Sequence, residues 1–413
     1  MKHNSHFRHV LLNALIAGAL STFAVSCSDD GDDSVITYPV TVTDTYPAGM
    51  PPTVTVKSGT VVYNELNTGA KTVFNLPLPS DARIAEGTYN IEGNMTVSYE
   101  ADGSQVERSL RAVANQVVIS GTQSAASLNW FFYNPENTLI FGEIYTTGSP
   151  NAKGTGGLYD TYFTIYNNTD EVQYADGLAI VESKLLNSRT EQILTPAALP
   201  EANFIGQTFY VIPGSGSDVA IEPGKSIKIV DQAINFDSQV SGALNHTDAD
   251  FEWYDETTSA SVKDTDNLSV PNLDKWFSYS ATIWIPHNQC LRSYALVRFP
   301  AGTTAESYLA QNDGTYKYIN AVTGTEMTGN KCYFVKNEWI IDGVNLCNDE
   351  QWTEGALSTA IDMSYASIST KKTDASRFGK KFARKVSGTS PAGNVVLMDT
   401  NDSAADFEVV SAR

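Results

Sequence analysis

The stretch YDTYFTIYNNTDEVQYADGLAIV, Tyr159 to Val181, decides the fold. Its tyrosine, threonine, phenylalanine and isoleucine up to Tyr166 suit a pleated, half-buried strand, and Asn167-Asn168-Thr169-Asp170 is turn sequence. Ala175-Asp176-Gly177 then turns the chain into a second strand, Leu178-Ala179-Ile180. Upstream, Leu139–Tyr145 (LIFGEIY) reads as a buried strand carrying one acid. Downstream, Ile221–Val230 (IEPGKSIKIV) reads as a Pro-Gly turn feeding another strand. With no helical period between them, these segments predict an all-β body.

The same signals extend both ways. From Val35 to about Gly121, runs such as PTVTVKSGTVVYNEL, KTVFNLPL, GTYNIEGNMTVSYE and RSLRAVANQVVIS are rich in Val, Thr and Tyr, with partial alternation. Pro51-Pro52, Asn67-Thr68-Gly69, Glu86-Gly87 and Asp102-Gly103 punctuate them, the last suiting a tight hairpin. Six or seven short strands predict a small two-sheet sandwich over residues 35–136. Leu296–Phe299, Tyr333–Val335, Trp339–Val344 and Gly393–Asp399 supply further strands, so residues 137–413 are expected to form one larger, elaborated β-domain.

Three resemblances add to this reading. Glu86-Gly87-Thr88-Tyr89-Asn90-Ile91 resembles the G-x-Y-x-I strand of transthyretin-like and collagen-binding-B-type sandwiches, which implies an inward tyrosine and a strand that begins at Gly87. Glu143, Tyr166-Asn167-Asn168, Asp176-Gly177 and Pro223-Gly224 together resemble the lamin-tail-type β-sandwich. Two departures stand against that pattern: Thr164 where a carboxylate is usual, and a long insert from Ser183 to Val219. From residue 27 onward the chain is similar to a Bacteroidetes lipoprotein family bearing domain of unknown function 4876. That similarity implies location more than activity and carries over no catalytic residue.

The first residues support the lipoprotein reading. Lys2 and Arg8 precede the uncharged run Val10–Val25, which is short for a bilayer span of about 20 residues. A basic start, a short apolar core and the small-residue exit Ala24-Val25-Ser26 before Cys27 read as a secretory signal over residues 1–26. Cys27 is then the expected lipidated residue and membrane anchor. Residues 27–34, SDDGDD with their flanks, form an acidic tether; the tract resembles the short acidic signal of surface-exposed Bacteroidetes lipoproteins, and implies the outer leaflet of the outer membrane. The expected location is the outer membrane, lipid-anchored and facing out.

With 47 acidic against 27 basic residues the chain carries a net charge of −20, and removal of the leader makes it more negative. Such a chain lacks the basic face that nucleic acid requires, and it does not lie flat on an anionic bilayer. Besides Cys27 there are Cys290, Cys332 and Cys347. Export and the short Cys332–Cys347 loop favour a disulfide there, with Cys290 as the competing partner. Spacing and the lack of nearby histidine argue against zinc.

Catalytic sets are thin. His246 and His287 are the two histidines beyond the leader, no G-x-S-x-G elbow is present, and Cys290 follows His287 by three residues, which is weak support for a thiol–imidazole pair. Among so many acids, some carboxylate pair always meets glycosidase spacing, so the count decides nothing. The most suggestive cluster is Asp248, Asp250, Glu252, Asp255 and Glu256 beside Phe251, Trp253 and Tyr254. Asp250, Glu252, Trp253, Tyr254 and Asp255 are the candidate ligand-binding residues: rings to stack a sugar, carboxylates to accept its hydroxyls or to hold calcium. The bland alternative is a solvated surface with core aromatics. Lys371–Lys385 is the single basic concentration, either a solvated segment pairing with nearby acids or a docking patch. No cofactor is expected other than calcium. The expectation is a non-catalytic surface lipoprotein that binds a glycan or an outer-membrane protein partner. A hydrolase using loop carboxylates and a purely architectural component are the competing readings.

Overall fold

The computed structural model describes residues 35–413 apart from 47–49, 51–53, 102–103, 122–124, 133–137, 155, 190–191, 198–202, 321, 359–360 and 391. The leader, Cys27 and the acidic tether lie outside the described residues. Among those described the protein is all-β, with short α-helices only at Ala305–Gln311 and Ser403–Asp406.

The N-terminal strands form a six-stranded sheet in the order Thr41–Thr45, Ala125–Phe132, Ser104–Ile119, Gly87–Ala101, Thr55–Glu65, Lys71–Asn75. Its centre is the long antiparallel pair Gly87–Ala101 and Ser104–Ile119, in register from Gly87↔Ile119 to Ala101↔Ser104. Alternate residues on these strands (Ile91, Met95 and Val97 on one, Leu110 and Ala112 on the other) enter a single core with Val61, Tyr63, Leu128 and Trp130. Tyr89 packs inward as expected, edge-on to Tyr63, and its hydroxyl donates to Ala85 O. In place of a second full sheet, a two-stranded ribbon, Thr37–Pro39 with Arg83–Ala85, adds Ile84 to the core, with Tyr38 packed against it. Trp130 lies so close to the neighbouring backbone that a Cβ at Gly93 would meet its ring at 2.5 Å.

Residues 139–411 build two large sheets that share no strand with the first, and two small two-stranded ribbons, Gln173–Tyr174 with Ala220–Ile221 and Val386–Thr389 with Val395–Leu397. The smaller runs Phe251–Glu252, Ser226–Val230, Tyr162–Asn167, Leu139–Tyr145, Lys380–Arg384, Phe407–Ser411. The larger runs Gln192–Thr195, Asp313–Ile319, Glu326–Lys336, Asn203–Val211, Leu178–Ser183, Ser293–Arg298, Ile340–Cys347, Ala366–Ser367, with Asp274–Ser278 also paired to Asn203–Val211. The insert after Ser183 is therefore not a surface loop: it supplies a central strand.

Between the sheets lies a core drawn from both, including Phe141, Phe163 and Ile229 from the smaller and Ile180, Tyr210 and Leu296 from the larger. The Leu178–Ser183 strand explains why LAIV is an unbroken apolar run. Leu178 and Ile180 face the inter-sheet core, while Ala179 and Val181 face a second core on the opposite side, roofed by Tyr308 of the helix Ala305–Gln311. A strand buried on both faces has no need of polar alternation.

Candidate functional site

The acidic, aromatic segment around Trp253 is drawn into the fold rather than presented on it. Phe251–Glu252 pairs in parallel with Ile229–Val230, and Trp253 N donates to Val230 O, so the segment is a continuation of the smaller sheet. Trp253 is fully buried, its ring 5.1 Å from Trp284 and 5.8 Å from Phe163 between centroids. The expectation that it stacks a sugar is corrected: the indole belongs to the inter-sheet core. Tyr254 is half-buried beside it. Asp250 stands apart, exposed, accepting from Lys228 N at 2.7 Å.

Glu252 and Asp255 also turn inward. Glu252 accepts from Ala233 N and from Asn267 N, each at 2.6 Å, and so ties two loops together. Burial pushes its carboxyl up to about 7, against the pull of those two donors. Asp255 accepts from the Tyr210 hydroxyl at 2.7 Å, from Lys275 Nζ at 2.6 Å and from Trp284 N at 2.6 Å. Around them stand two acids that the sequence reading did not single out. Asp264 accepts from Asp255 N at 2.8 Å, and burial pushes it up to about 6. Asp231, at the end of the Ser226–Val230 strand, is fully buried, and neither of its carboxylate oxygens has a hydrogen-bond partner. Burial first, then Asp264, Asp255, Glu252 and Asp160, hold it well above the usual carboxylate range. An acid closing an apolar alternating strand, in the run IKIVD, is the signal that would have found it.

The other candidates are spent on structure. His246 is buried, Nε2 at 3.0 Å from Asp160 O, and burial lowers it to about 4. His287 is lowered to about 3 by burial, and burial raises the Cys290 thiol to about 12, away from any nucleophilic form. The expected Cys332–Cys347 disulfide is corrected: both are free, buried thiols. Three strands separate theirs in the larger sheet, a span of about 19 Å at ~4.8 Å per strand, far beyond the roughly 7 Å Cα limit for a bridge. Of the basic run, Arg377 donates to Asn288 O at 2.9 Å and Lys381 pairs with Glu143 at 2.6 Å. Arg384 is buried against Asp342, Asp399 and Asp406. These cations pair inward, while Lys371 and Lys372 remain exposed.

Among the described residues, no group of three His, Cys, Asp or Glu side chains could hold a metal ion, and no helix is long and apolar enough to cross a membrane.

Residues 222–412 match the model of a family described as protein of unknown function DUF4876. The crystal structure of a DUF4876 family protein from Bacteroides thetaiotaomicron is similar at 18% identity, with 90% of this chain and 94% of that one covered and a TM-score of 0.50. No curated protein matches. The matched segment is not a separate layer, because five strands that precede it, Leu139–Tyr145, Tyr162–Asn167, Leu178–Ser183, Gln192–Thr195 and Asn203–Val211, belong to the two sheets. The similarity in sequence therefore covers part of a sandwich whose remaining strands come from upstream of residue 222.

Proposed function

We propose that this is a lipid-anchored protein of the outer membrane, held at the cell surface by Cys27, that works by binding or assembly and not by catalysis. One observation carries the reading: the carboxylates with the strongest case for chemistry, Glu252 and Asp255, are interior groups whose oxygens accept backbone N–H, hydroxyl and ammonium donors of the fold itself. A general acid or nucleophile must instead reach a substrate. With Trp253 inside, half-buried aromatic pairs remain at the surface. Trp352 stacks on Tyr365 with centroids 4.3 Å apart, and Trp276 on Phe299 at 4.8 Å. Such rings suit a glycan or an outer-membrane protein partner.

The test is a glycan array probed with the purified protein, followed by crosslinking on intact cells. Saturable binding without product formation, reduced in Trp352→Ala or Trp276→Ala, supports recognition of a glycan. A silent array with a specific crosslinked partner supports assembly. Turnover of any glycan or peptide by the protein would end the non-catalytic reading. For the anchor, Cys27→Ala should release the protein from the membrane fraction, and external protease should cleave the wild-type protein on whole cells.

A further inference from the structure

Lys184, the residue after the Leu178–Ser183 strand, is a cation that no acid answers. Only 7% of it is exposed, yet among the described residues its ammonium has no hydrogen bond and no ion pair. It faces two rings instead, 5.3 Å from the Tyr316 centroid and 5.8 Å from that of Tyr279. Ring faces replace only part of what a buried charge loses with its water. The acid two residues back is already spent: Glu182 accepts from Gln207 Nε2, from the Tyr294 hydroxyl and from His287 N. Tyr279 is 39% exposed, which puts the ammonium beside it near the edge of the fold, within reach of a solute.

A second cation shares the Tyr316 ring. Arg189 Nη1 donates to the Tyr316 hydroxyl at 3.4 Å, and the guanidinium carbon lies 3.9 Å from the Tyr318 centroid. Among the described residues no carboxylate pairs with it. The frame around the two cations is fixed by other groups. Arg292 Nη1 donates to Ser183 O and Lys184 O at 2.7 and 2.8 Å, and Lys184 N donates to Ile205 O. The Gln192 amide joins Leu186, Arg189 O and the Tyr316 hydroxyl.

We propose that Lys184 and Arg189 bind the carboxylate of a small molecule, an acidic sugar or an organic acid. The ammonium brings a point charge with free donors and the guanidinium a planar fork, and both suit carboxylate oxygens. With a net charge of −20, the field of the whole chain opposes a dianion such as phosphate more than a single carboxylate. Burial, then Arg292, lowers the Lys184 amine to about 8, so at neutral pH it still holds its proton. Tyr279, exposed, and Tyr318, half-buried, offer apolar faces beside the cations to a ligand's carbon skeleton. Because neighbouring groups already hold both backbones, little order has to be gained on binding. The site uses none of the rings of Trp352, Tyr365, Trp276 or Phe299, and its failure would leave the reading above standing.

The experiment titrates the purified protein with galacturonate, with galactose as its neutral twin and with acetate as the bare carboxylate, at matched ionic strength. Saturation-transfer NMR reads the binding, and thermal unfolding reads the fold. At least one carboxylate should bind saturably, with Kd on the order of 1 mM. Galacturonate tighter than acetate assigns an acidic sugar; equal affinities assign a simple organic acid. Lys184→Met fills the volume without the charge and should weaken binding about 10- to 100-fold without lowering Tm. Arg189→Gln, at a half-buried position, is the second variant and should weaken it about 2- to 5-fold. A lysine that served only the fold would lower Tm on replacement and leave Kd where it was. The site is overturned if neither carboxylate binds saturably, if galactose binds as tightly as galacturonate, or if both variants keep wild-type affinity.

Discussion

Around Arg384 stand Asp342, Asp399 and Asp406, at 2.7, 3.2 and 3.3 Å, while Lys275 bonds Asp255 at 2.6 Å and the buried Asp231 has no partner on either oxygen. Both groups place acids inside the same sandwich, yet the first is answered and the second is not. The guanidinium also donates to Phe141 O and Met398 O, and Asp342 accepts from Phe141 N, so the cluster ties the Lys380–Arg384, Leu139–Tyr145 and Ile340–Cys347 strands across both sheets. A planar fork with five donors can serve several acceptors, whereas an ammonium on a flexible stem serves fewer and here bonds one acid. Burial of acids is therefore no mark of a site in this protein.

The sharpest way to break this contrast is to remove its hub. Arg384→Met leaves three interior carboxylates without their cation and should cost about 3–5 kcal/mol, read by urea unfolding; a loss below about 1 kcal/mol would show that the cluster is not a lock. Trp253→Ala should cost about 3–5 kcal/mol, the range for opening a cavity in a packed core. A ligand-facing Trp253 would instead lose binding while keeping stability. A third test uses Asp362, a buried acid with no cation beside it, which accepts from Ser403 N and Asn345 N, and which burial pushes from 3.8 up to about 7. Its folded pKa is raised, so its contribution favours the protonated native state, is complete below the unfolded pKa and declines as pH rises toward about 7. Unfolding profiles from pH 4 to 8 should fall over that window, and Asp362→Asn should flatten the fall. At the small end, Tyr254→Ala at its half-buried position should stay within about 0.5 kcal/mol.

The all-β class, the strands around Tyr159–Val181 and the inward turn of Tyr89 were legible because local alternation and turn residues carry them. What was not legible depended on strand order. Cys332 and Cys347 are close in sequence, but the larger sheet inserts Asn203–Val211, Leu178–Ser183 and Ser293–Arg298 between their strands. Trp253 and Tyr254 are neighbours of equal appeal, and only the pairing of Ile229–Val230 with Phe251–Glu252 settles which ring goes inside. Asp231, after the run Ile227–Val230, shows itself as an interior acid only once that same pairing covers the end of its strand. The basic run does pair with neighbouring acids, through Lys381 and Arg384, but burial of Arg377 and Arg384 takes two of its cations off the surface, which composition does not show.

The Leu178–Ser183 strand has one more consequence. Its larger side chains, Leu178 and Ile180, sit between the sheets, and its smaller ones, Ala179 and Val181, sit under the helix. A slip of one residue would push branched chains into room made for Ala and Val and hollow out the other side, two penalties from one error. Alternate bulk along four consecutive residues thus acts as a proofreader for the pairing of the central strands.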